Sequence, residues 1–522
     1  MRCVFASHAP NLPRMLGFVK QKSKTSKANR THIAWQPELR PDIPTVYGPL
    51  EYRLFKAQLE EIDELLLHGG IENDFVGEVL DSLPAELDEK AHAHRAKNAS
   101  LALRSNIARK ILGLSYRELA VRIAESEPLR WFLCTNAPGM ARAPSKSTLE
   151  RNDKILPPGR MDAFNRRLVA RCAAQDAPRE LGVHAPIDID DAYIDATCLK
   201  ANIHFPIDWV LLRDAARTLM KALVLIRRHG LRQRMPQDPL RFLGEMNKLT
   251  MAMSACARKA DAKKRRKQTL RLMKKLARKI ETHAQAHLKL LREKRERTDL
   301  SEAQAGQIIA RMENVLEKLP AAIKQAHERI IGERQVKNAD KIHSLYEDDI
   351  DVIVRGKAGA EVEFGRELLL CETREGLVSD YELLERGQSA QKAFGRSIER
   401  LCENKIKPKA AWTDRGFCSE QNKKQLEQKG IRDGLCERDP VELRERINNE
   451  EGYAEGLKRR GATEARIAIV KNMFAGNPCV AKGREHTRMA LGWAVLAHNL
   501  WVLARRELNW RKKKRRNPQK TN

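Results

Sequence analysis

Two short apolar runs, each leading to an aspartate, constrain this fold more than any other feature of the sequence. One run covers 410–412 and precedes Asp414, and the other, within 187–194, precedes Asp195. Both have the length and composition of buried strands. A carboxylate where a strand ends points into the crevice above a sheet. If the strands are neighbours, these aspartates, 219 residues apart, converge in one α/β domain.

A third acidic position is predicted on a helix. In RRGATEARIAIVKNMF, Arg460, Glu464 and Lys471 step by four and seven residues, which places them along one face if the backbone is helical. Carboxylate oxygens are the ligands that Mg²⁺ prefers, and a pair of such ions can assist both oxygens of a phosphodiester displacement. The pattern therefore indicates metal-dependent phosphodiester chemistry.

Each of these acidic positions has an alternative. Asp414 also suits a turn or a cap, with Ser419 capping the helix that follows. A slip in strand register would bring another aspartate inward in place of Asp195. The rival carboxylates are Asp188, Asp190 and Asp191 for the first position and Glu450, Glu451 and Glu455 for the third. We expect His204 to be a strand-end histidine and not a metal ligand.

The charge balance indicates a polyanionic partner. The 522 residues include 98 Lys and Arg against 69 Asp and Glu, a formal charge of +29. Between Arg258 and Arg297 there are 17 basic and four acidic residues, and from Arg505 to the end there are nine basic residues and one acidic residue.

The ten cysteines include no CxxC pair, which argues against a zinc knuckle or a disulfide framework.

The first basic segment is predicted to be a long amphipathic helix with one strongly basic face. Its apolar seam comprises Leu270, Met273, Ala277, Ile280, Ala284, His287 and Leu291. We interpret the basic face as a contact for nucleic-acid backbone, with a merely solvated face as the alternative. The residues expected to contact phosphate are Lys263, Lys264, Arg265, Arg266, Lys274, Lys275 and Lys279. The basic tail RKKKRRNPQK is expected to be disordered in isolation.

A helical pair lies closer to the amino terminus. Ser115 and Glu118 have the spacing of a capping box, and a second short helix is predicted to start near Ser145. A helix, a turn and a helix on a basic background suit a major-groove reader, although a purely structural hairpin has the same pattern. The residues expected to contact DNA there are Ser147, Arg151 and Asn152.

Together these residues resemble a bacterial insertion-sequence transposase with an RNase H-like DDE catalytic domain. The resemblance rests on YIDATCLKANIHFP, AAWTDRGF, and EARIAIVKN with GWAVLAHNLWVLAR. In one large group of these enzymes the last motif reads Tyr, two residues, Arg, three residues, Glu, six residues, Lys. Arg460, Glu464 and Lys471 fit this spacing, but Leu457 stands where the tyrosine is expected.

The resemblance implies a function. Asp195, Asp414 and Glu464 would hold two Mg²⁺ or Mn²⁺ ions, and Arg460 and Lys471 would bind phosphates. Water would cut the transposon end, and the freed 3′-OH would then attack target DNA. The implied partners are double-stranded DNA and further copies of the chain, as a homodimer or a larger synaptic complex. Two alternatives are a catalytically silent DNA-binding protein derived from a transposase and an RNase H-like structure-specific nuclease.

The predicted architecture is multidomain, α/β plus all-α. An RNase H-like mixed sheet with flanking helices is interrupted by a basic helical insertion and preceded by a helical DNA-binding region. The expected boundaries are a poorly ordered extension at 1–47, a helix-turn-helix-like domain at 48–175, a catalytic domain at 187–206 and 338–505, an insertion at 207–337 and a tail at 506–522. The apolar stretch at 489–504 contains His498 and Asn499 and is expected to be a buried helix. We therefore expect no membrane partner, and the resemblance implies a bacterial cytoplasmic, nucleoid-associated protein.

Overall fold

The computed structural model describes residues 19–21, 32–34, 47–83, 88–137, 140–256, 261–357 and 360–516. Most of the extension expected at 1–47 lies outside these ranges. Within it, β1 (Val19–Gln21) and β2 (His32–Ala34) pair antiparallel.

The amino-terminal region is mainly helical. Ser115 and Glu118 form the predicted capping box, and Ser145 caps the second predicted helix. The fully buried Arg104 donates hydrogen bonds to Asp63, Glu72 and the Phe132 carbonyl, which ties four helices together. The elements are α1 (Leu50–Leu67), α2 (Ile71–Asp81), α3 (Glu89–Leu112), α4 (Tyr116–Glu125), α5 (Glu127–Phe132), β3 (Asn136–Ala137), β4 (Met140–Ala141), α6 (Lys146–Asn152), α7 (Pro158–Ala173) and α8 (Ala177–Leu181).

A mixed six-stranded sheet forms the centre of the α/β part, as predicted. Its strands are β5 (Asp191–Lys200), β6 (Asp351–Lys357), β7 (Ala360–Glu372), β8 (Val378–Leu383), β9 (Ala410–Thr413) and β10 (Arg432–Leu435). The order is β10, β9, β5, β7, β6, and β8 also pairs with β7. β9 runs parallel to both β5 and β10, whereas β5 is antiparallel to β7.

The position of Asp195 within its strand differs from the prediction. The expected strand ended at Asp195, but β5 begins at Asp191 and continues to Lys200, so that Asp195 lies in mid-strand. The reason is the long antiparallel partner, because β7 pairs with β5 from Tyr193 to Lys200.

Among the described residues, four α-helices lie between β5 and β6 in the sequence: α9 (Asp208–Arg228), α10 (Pro239–Ala255), α11 (Ala262–Lys294) and α12 (Glu302–Ala326). They pack around a hydrophobic core of their own. The apolar seam predicted for α11 is buried along its whole length, from Leu270 to Leu291. The amphipathic helix is therefore confirmed.

The remaining helices flank the sheet. They are α13 (Ala390–Glu403), α14 (Glu420–Lys429), α15 (Pro440–Asn449), α16 (Tyr453–Arg460), α17 (Thr463–Ile469) and α18 (Arg484–Arg516), with a π-helical turn at Val470–Ala475. Residues 489–504 of α18 form the buried helix expected there, and this segment joins the sheet to α3 and α7 in a shared core.

Within the whole chain the basic tail is helical as far as Arg516, because α18 continues to that residue. Arg511 forms an ion pair of 2.6 Å with the buried Glu61 of α1, and Trp510 stacks on His184. These contacts hold α18 against the protein as far as Arg511, and residues 512–516 are exposed. No helix among the described residues has the length and apolar character needed to cross a membrane.

Candidate active site

Asp195 lies on β5, and Asp414 directly follows the adjacent parallel strand β9. Tyr193 of β5 is in register with Trp412 of β9, and each aspartate is two residues further along its strand direction. Side chains alternate between the two faces of a sheet. This register therefore places both carboxylates on the same face and close together. The convergence expected from the sequence is present.

The surroundings of Asp195 disfavour the negative charge of its carboxylate. The residue is 8% exposed, and its carboxylate accepts a 2.7 Å hydrogen bond from the amide of Ala196. Burial, and then the neighbouring Asp414 carboxylate, raise the pKa of Asp195 to about 6, with a smaller contribution from Glu464. The negative charge on this buried group is therefore disfavoured unless a cation compensates it.

Asp414 serves its own turn as well as the site. It follows β9, and its Oδ1 accepts a 2.9 Å hydrogen bond from the amide of Gly416 in the 3₁₀ turn that ends at Phe417. Arg438 donates from Nε to the Arg415 carbonyl at 3.2 Å and so braces this turn. The turn role and the site role, which the sequence left as alternatives, are compatible in one residue.

Glu464, Arg460 and Lys471 lie near Asp195 or its strand. Arg460 Nη1 is 3.4 Å from Asp195 Oδ2, and Lys471 Nζ donates to Thr197 Oγ1 at 3.1 Å, two residues along β5 from Asp195. Glu464 is exposed in the first turn of α17.

The three residues do not share one continuous helix, which corrects the prediction. Arg460 is the last residue of α16, Gly461 and Ala462 separate it from α17, and Lys471 lies in the π-helical turn. Arg460 and Glu464 nevertheless lie over the same sheet, because α16 and α17 both pack against it.

A buried carboxylate that the sequence did not single out binds residues on both sides of the break between these helices. Glu372, at the end of β7, is fully buried and accepts hydrogen bonds from Thr463 Oγ1 at 2.8 Å, Arg459 at 3.1 Å and Arg466 at 3.2 Å. Its donors stand on both sides of Arg460 and Glu464 in the sequence. Strand β7 therefore sets where those two side chains stand. Only its place at the end of an apolar run, the same signal as for Asp414, could have pointed to it.

Close packing on Trp412 fixes α16 from the other side. The indole donates to Asp191 at 2.7 Å and is flanked by Gly434 and Gly456, where an added Cβ would stand 2.5 Å and 2.2 Å from the ring. Leu457, which occupies the expected tyrosine position, packs against this aromatic cluster. Leu457 therefore makes an apolar contact at this position and lacks the hydroxyl group that a tyrosine would have.

The rival carboxylates have other partners or surroundings. Asp191 is bound to Trp412, Asp190 pairs with Lys409 at 2.7 Å, and Asp188 accepts from the amide of Asp190. Glu450 pairs with Arg446 at 2.6 Å, while Glu451, Glu455 and His204 are exposed.

The cationic face of α11 forms a groove of about 460 Å³, here called the basic groove, lined by Arg271, Lys274, Lys275, Arg278, Lys279 and Thr282. Burial and Arg278 lower the pKa of Lys274. Other predicted contacts are already engaged within the protein. Lys263 pairs with Glu333 and Arg265 with Asp261, both at 2.6 Å, and the Arg266 guanidinium lies over Trp209. Lys264 is exposed next to them.

Among the residues predicted to contact DNA on α6, Ser147 and Arg151 are exposed, but Asn152 is buried. Asn152 lies three residues after the buried Leu149 on the inward face of the helix. Asn152 is therefore not on the outer face of α6, where Ser147 and Arg151 lie.

The donor set at the sheet fits a hard divalent cation, because it consists of carboxylate oxygens and includes a buried one whose charge is disfavoured. The described ranges contain no group of three His, Cys, Asp or Glu side chains already gathered at metal-ligating distances.

Residues 366–500 match the family model described as "Transposase DDE domain". This segment runs from β7 into α18 and contains Asp414, Glu464, Arg460 and Lys471, whereas Asp195 precedes it. No curated protein and no solved structure matches the chain.

Proposed function

We propose that this chain, a DDE-type transposase by its family match, cuts DNA at transposon ends and joins the freed 3′ end to target DNA in a divalent-metal-dependent reaction. The observation that carries the proposal is the meeting of Asp195 and Asp414 on adjacent strands, with Glu464 close enough to affect the pKa of Asp195.

Asp195, Asp414 and Glu464 would hold the cations, Mg²⁺ or Mn²⁺, with two per site as the proposed number. Bound there, the ions would activate the attacking oxygen and neutralise charge on the leaving oxygen. The raised pKa of Asp195 supports this role, since a cation would relieve the repulsion between its carboxylate and that of Asp414.

The chain's own cations would position the DNA. Arg460, at 3.4 Å from Asp195, is half-buried and ready to exchange this partner for a phosphate oxygen of the strand being cut. Lys471, held beside Thr197 on the same strand, would contact a neighbouring phosphate. Fixed cations lower the barrier because they are already oriented when charge develops on the phosphoryl group.

The rest of the chain would bind DNA away from the chemistry. The pair α4 and α6 would read the transposon end through Ser147 and Arg151, and the basic groove would hold duplex backbone without sequence preference. Two ends must meet before joining, so we propose a homodimer or larger synaptic complex, in a bacterial cytoplasm.

The test uses the purified chain, Mg²⁺ and DNA carrying the inverted repeats that flank the gene in its source. We expect cleavage at the repeat ends and covalent joining to a second duplex. Cleavage without joining would identify a structure-specific nuclease, and specific binding without cleavage would identify a catalytically silent DNA-binding protein.

A further inference from the structure

A second large cavity lies away from the carboxylates, between the inserted helices and the sheet. It is an open cleft of about 1060 Å³, here called the insertion cleft, formed by α9, α12, the segment 202–207 after β5 and the segment 343–347 before β6. The segment 202–207 continues the strand that carries Asp195.

The insertion cleft is positively charged. Its exposed cations are Arg217, Lys221, Arg228, Arg311 and Lys482. The two acidic side chains in its lining are already paired, Asp214 with Arg213 at 2.8 Å and Glu347 with Arg366 at 2.5 Å. Among the described residues, Arg217, Lys221 and Arg311 have no carboxylate at ion-pair distance, so these charges are available to an anion.

Aromatic rings are exposed among these cations. Phe205 is 64% exposed, and its ring is steadied edge-on by Phe364 at a centroid distance of 5.2 Å. Tyr346 is 42% exposed, and its hydroxyl is fixed by Thr218 at 2.5 Å and the Asp214 carbonyl at 3.1 Å. Both rings are therefore held in place while a substantial part of each stays open to the solvent.

The cleft wall also contains an unsatisfied polar group. His343 is buried, and its Nε2 has no hydrogen-bond partner in the described structure. Burial, reinforced by Arg386, lowers the pKa of His343 to about 4, so its imidazole is neutral at neutral pH. A buried nitrogen left without a partner costs free energy that a ligand reaching the wall can recover.

We propose that the insertion cleft binds an unpaired segment of the DNA on which the carboxylate site acts, with a base on Phe205 and phosphates on Arg217, Lys221 and Arg311. Exposed aromatic faces among cations bind single strands, because an unpaired base offers a face that a duplex hides in its stack. The inference rests on the proposed function for its DNA partner. At about 3.3 Å per residue, Phe205 lies no more than roughly 35 Å of chain from Asp195, a distance that one DNA molecule spans easily.

The experiment measures binding of the full chain to a fluorescent oligothymidine and to a fully paired hairpin duplex, without divalent cation so that no cutting occurs. The variant Phe205→Ala should weaken oligothymidine binding about tenfold, in line with the cost of losing one base stack, and leave duplex binding unchanged. Phe205→Tyr should restore the affinity. The matched control is Met251→Ala, which removes a side chain of similar exposure on α10.

The cations are tested separately in the triple variant Arg217→Gln, Lys221→Gln and Arg311→Gln. For oligothymidine, the slope of log affinity against log salt should become shallower by about 2, from roughly 0.7 for each phosphate that is no longer bound. If Phe205→Ala weakens binding of both DNAs equally, or of neither, the proposal that the cleft binds unpaired strands is wrong. If only the triple variant matters and polyglutamate competes as well as DNA does, the cleft binds acidic polypeptide instead.

This outcome is independent of the cleavage test. Binding of oligothymidine that depends on Phe205 in a chain that never cuts DNA would support the cleft and contradict the transposase reaction. Cleavage and joining with no effect of Phe205→Ala on either DNA would support the transposase reaction and contradict the proposed role of the cleft.

Discussion

Thr463 donates a 2.8 Å hydrogen bond to the fully buried carboxylate of Glu372, and this contact joins the start of α17 to the end of β7. Arg459 and Arg466 bind the same carboxylate from either side. The three donors bracket Arg460 and Glu464, so the placement of these residues depends on a strand to which neither belongs.

We predict that Glu372→Gln raises the Mg²⁺ concentration needed for half-maximal cleavage more than it lowers the maximal rate, because it loosens Glu464 without removing a carboxylate of the site. Glu372→Ala should also destabilise the fold by about 3 kcal/mol, as the loss of one partner of a buried ion pair does. Cleavage rates over an Mg²⁺ titration and urea unfolding measure the two effects. Glu375→Gln, which disturbs the nearby pair with Arg506, is the control. An unchanged Mg²⁺ requirement in Glu372→Gln would show that Glu372 serves stability alone.

The three carboxylates should be separable from DNA binding. Asp195→Ala, Asp414→Ala and Glu464→Ala should each abolish cleavage and leave affinity for transposon ends within a few fold, because affinity comes mainly from Lys and Arg elsewhere. Gel cleavage assays and binding titrations on folded variants measure both. Glu455→Ala, an exposed acidic residue on α16, should cut normally. Parallel loss of binding and cleavage would assign these aspartates and the glutamate a structural role.

The raised pKa of Asp195 predicts a pH dependence of stability. The folded protein holds this proton up to about pH 6, whereas the unfolded chain releases it near 3.8, so stability falls as pH rises between these values. At pH 8 in the absence of metal, Asp195→Asn should stabilise the protein by up to about 3 kcal/mol, and this gain should shrink towards the acidic end of the window. Urea unfolding at several pH values measures it. A gain that does not vary with pH would contradict the proposed environment of Asp195.

The same proton should weaken metal binding in acid. Mg²⁺ must displace it from Asp195, so the apparent Mg²⁺ affinity of the wild-type protein should decline below about pH 6. Calorimetric titration of Mg²⁺ into the protein in two buffers of different ionisation enthalpy should reveal proton release near that pH. Asp195→Asn should release no proton.

The basic groove should govern non-specific DNA affinity. Changing Arg271, Lys275, Arg278 and Lys279 to Gln should weaken binding to any duplex and flatten the salt slope by about 0.9 for each phosphate that is no longer bound, with sequence preference unaltered. The control removes the same charge at exposed lysines outside the groove, namely Lys405, Lys407, Lys424 and Lys429. Equal slopes in the two quadruple variants would mean that the charge on α11 is only solvated.

On α6, the exposed and buried residues should behave differently. Ser147→Ala with Arg151→Ala should reduce the preference for transposon ends over random duplex, since both side chains are exposed. Asn152→Ala should instead change the free energy of unfolding and leave that preference intact, because Asn152 is buried. Competition binding and urea unfolding separate the two effects. An unchanged preference in the double variant would place the reader of the end sequence on another element.

Features that depend on neighbours a few residues apart could be predicted from the sequence. Capping of α4 by Ser115 and Glu118, the start of α14 at Ser419 and the buried seam of α11 follow from hydrogen bonds and periodicity within one or two helical turns. The family motifs around Asp414 and Glu464 belong to the same class, because fixed spacing is visible in the chain.

The way distant segments meet emerged only in the folded chain. Strand β7 extended β5 past Asp195, Glu372 bound residues of both α16 and α17, and the core placed Asn152 inside. Folding also formed the insertion cleft from segments on both sides of the inserted helices. Each of these outcomes depends on pairing between residues far apart in sequence, where burial and register outweigh local propensity.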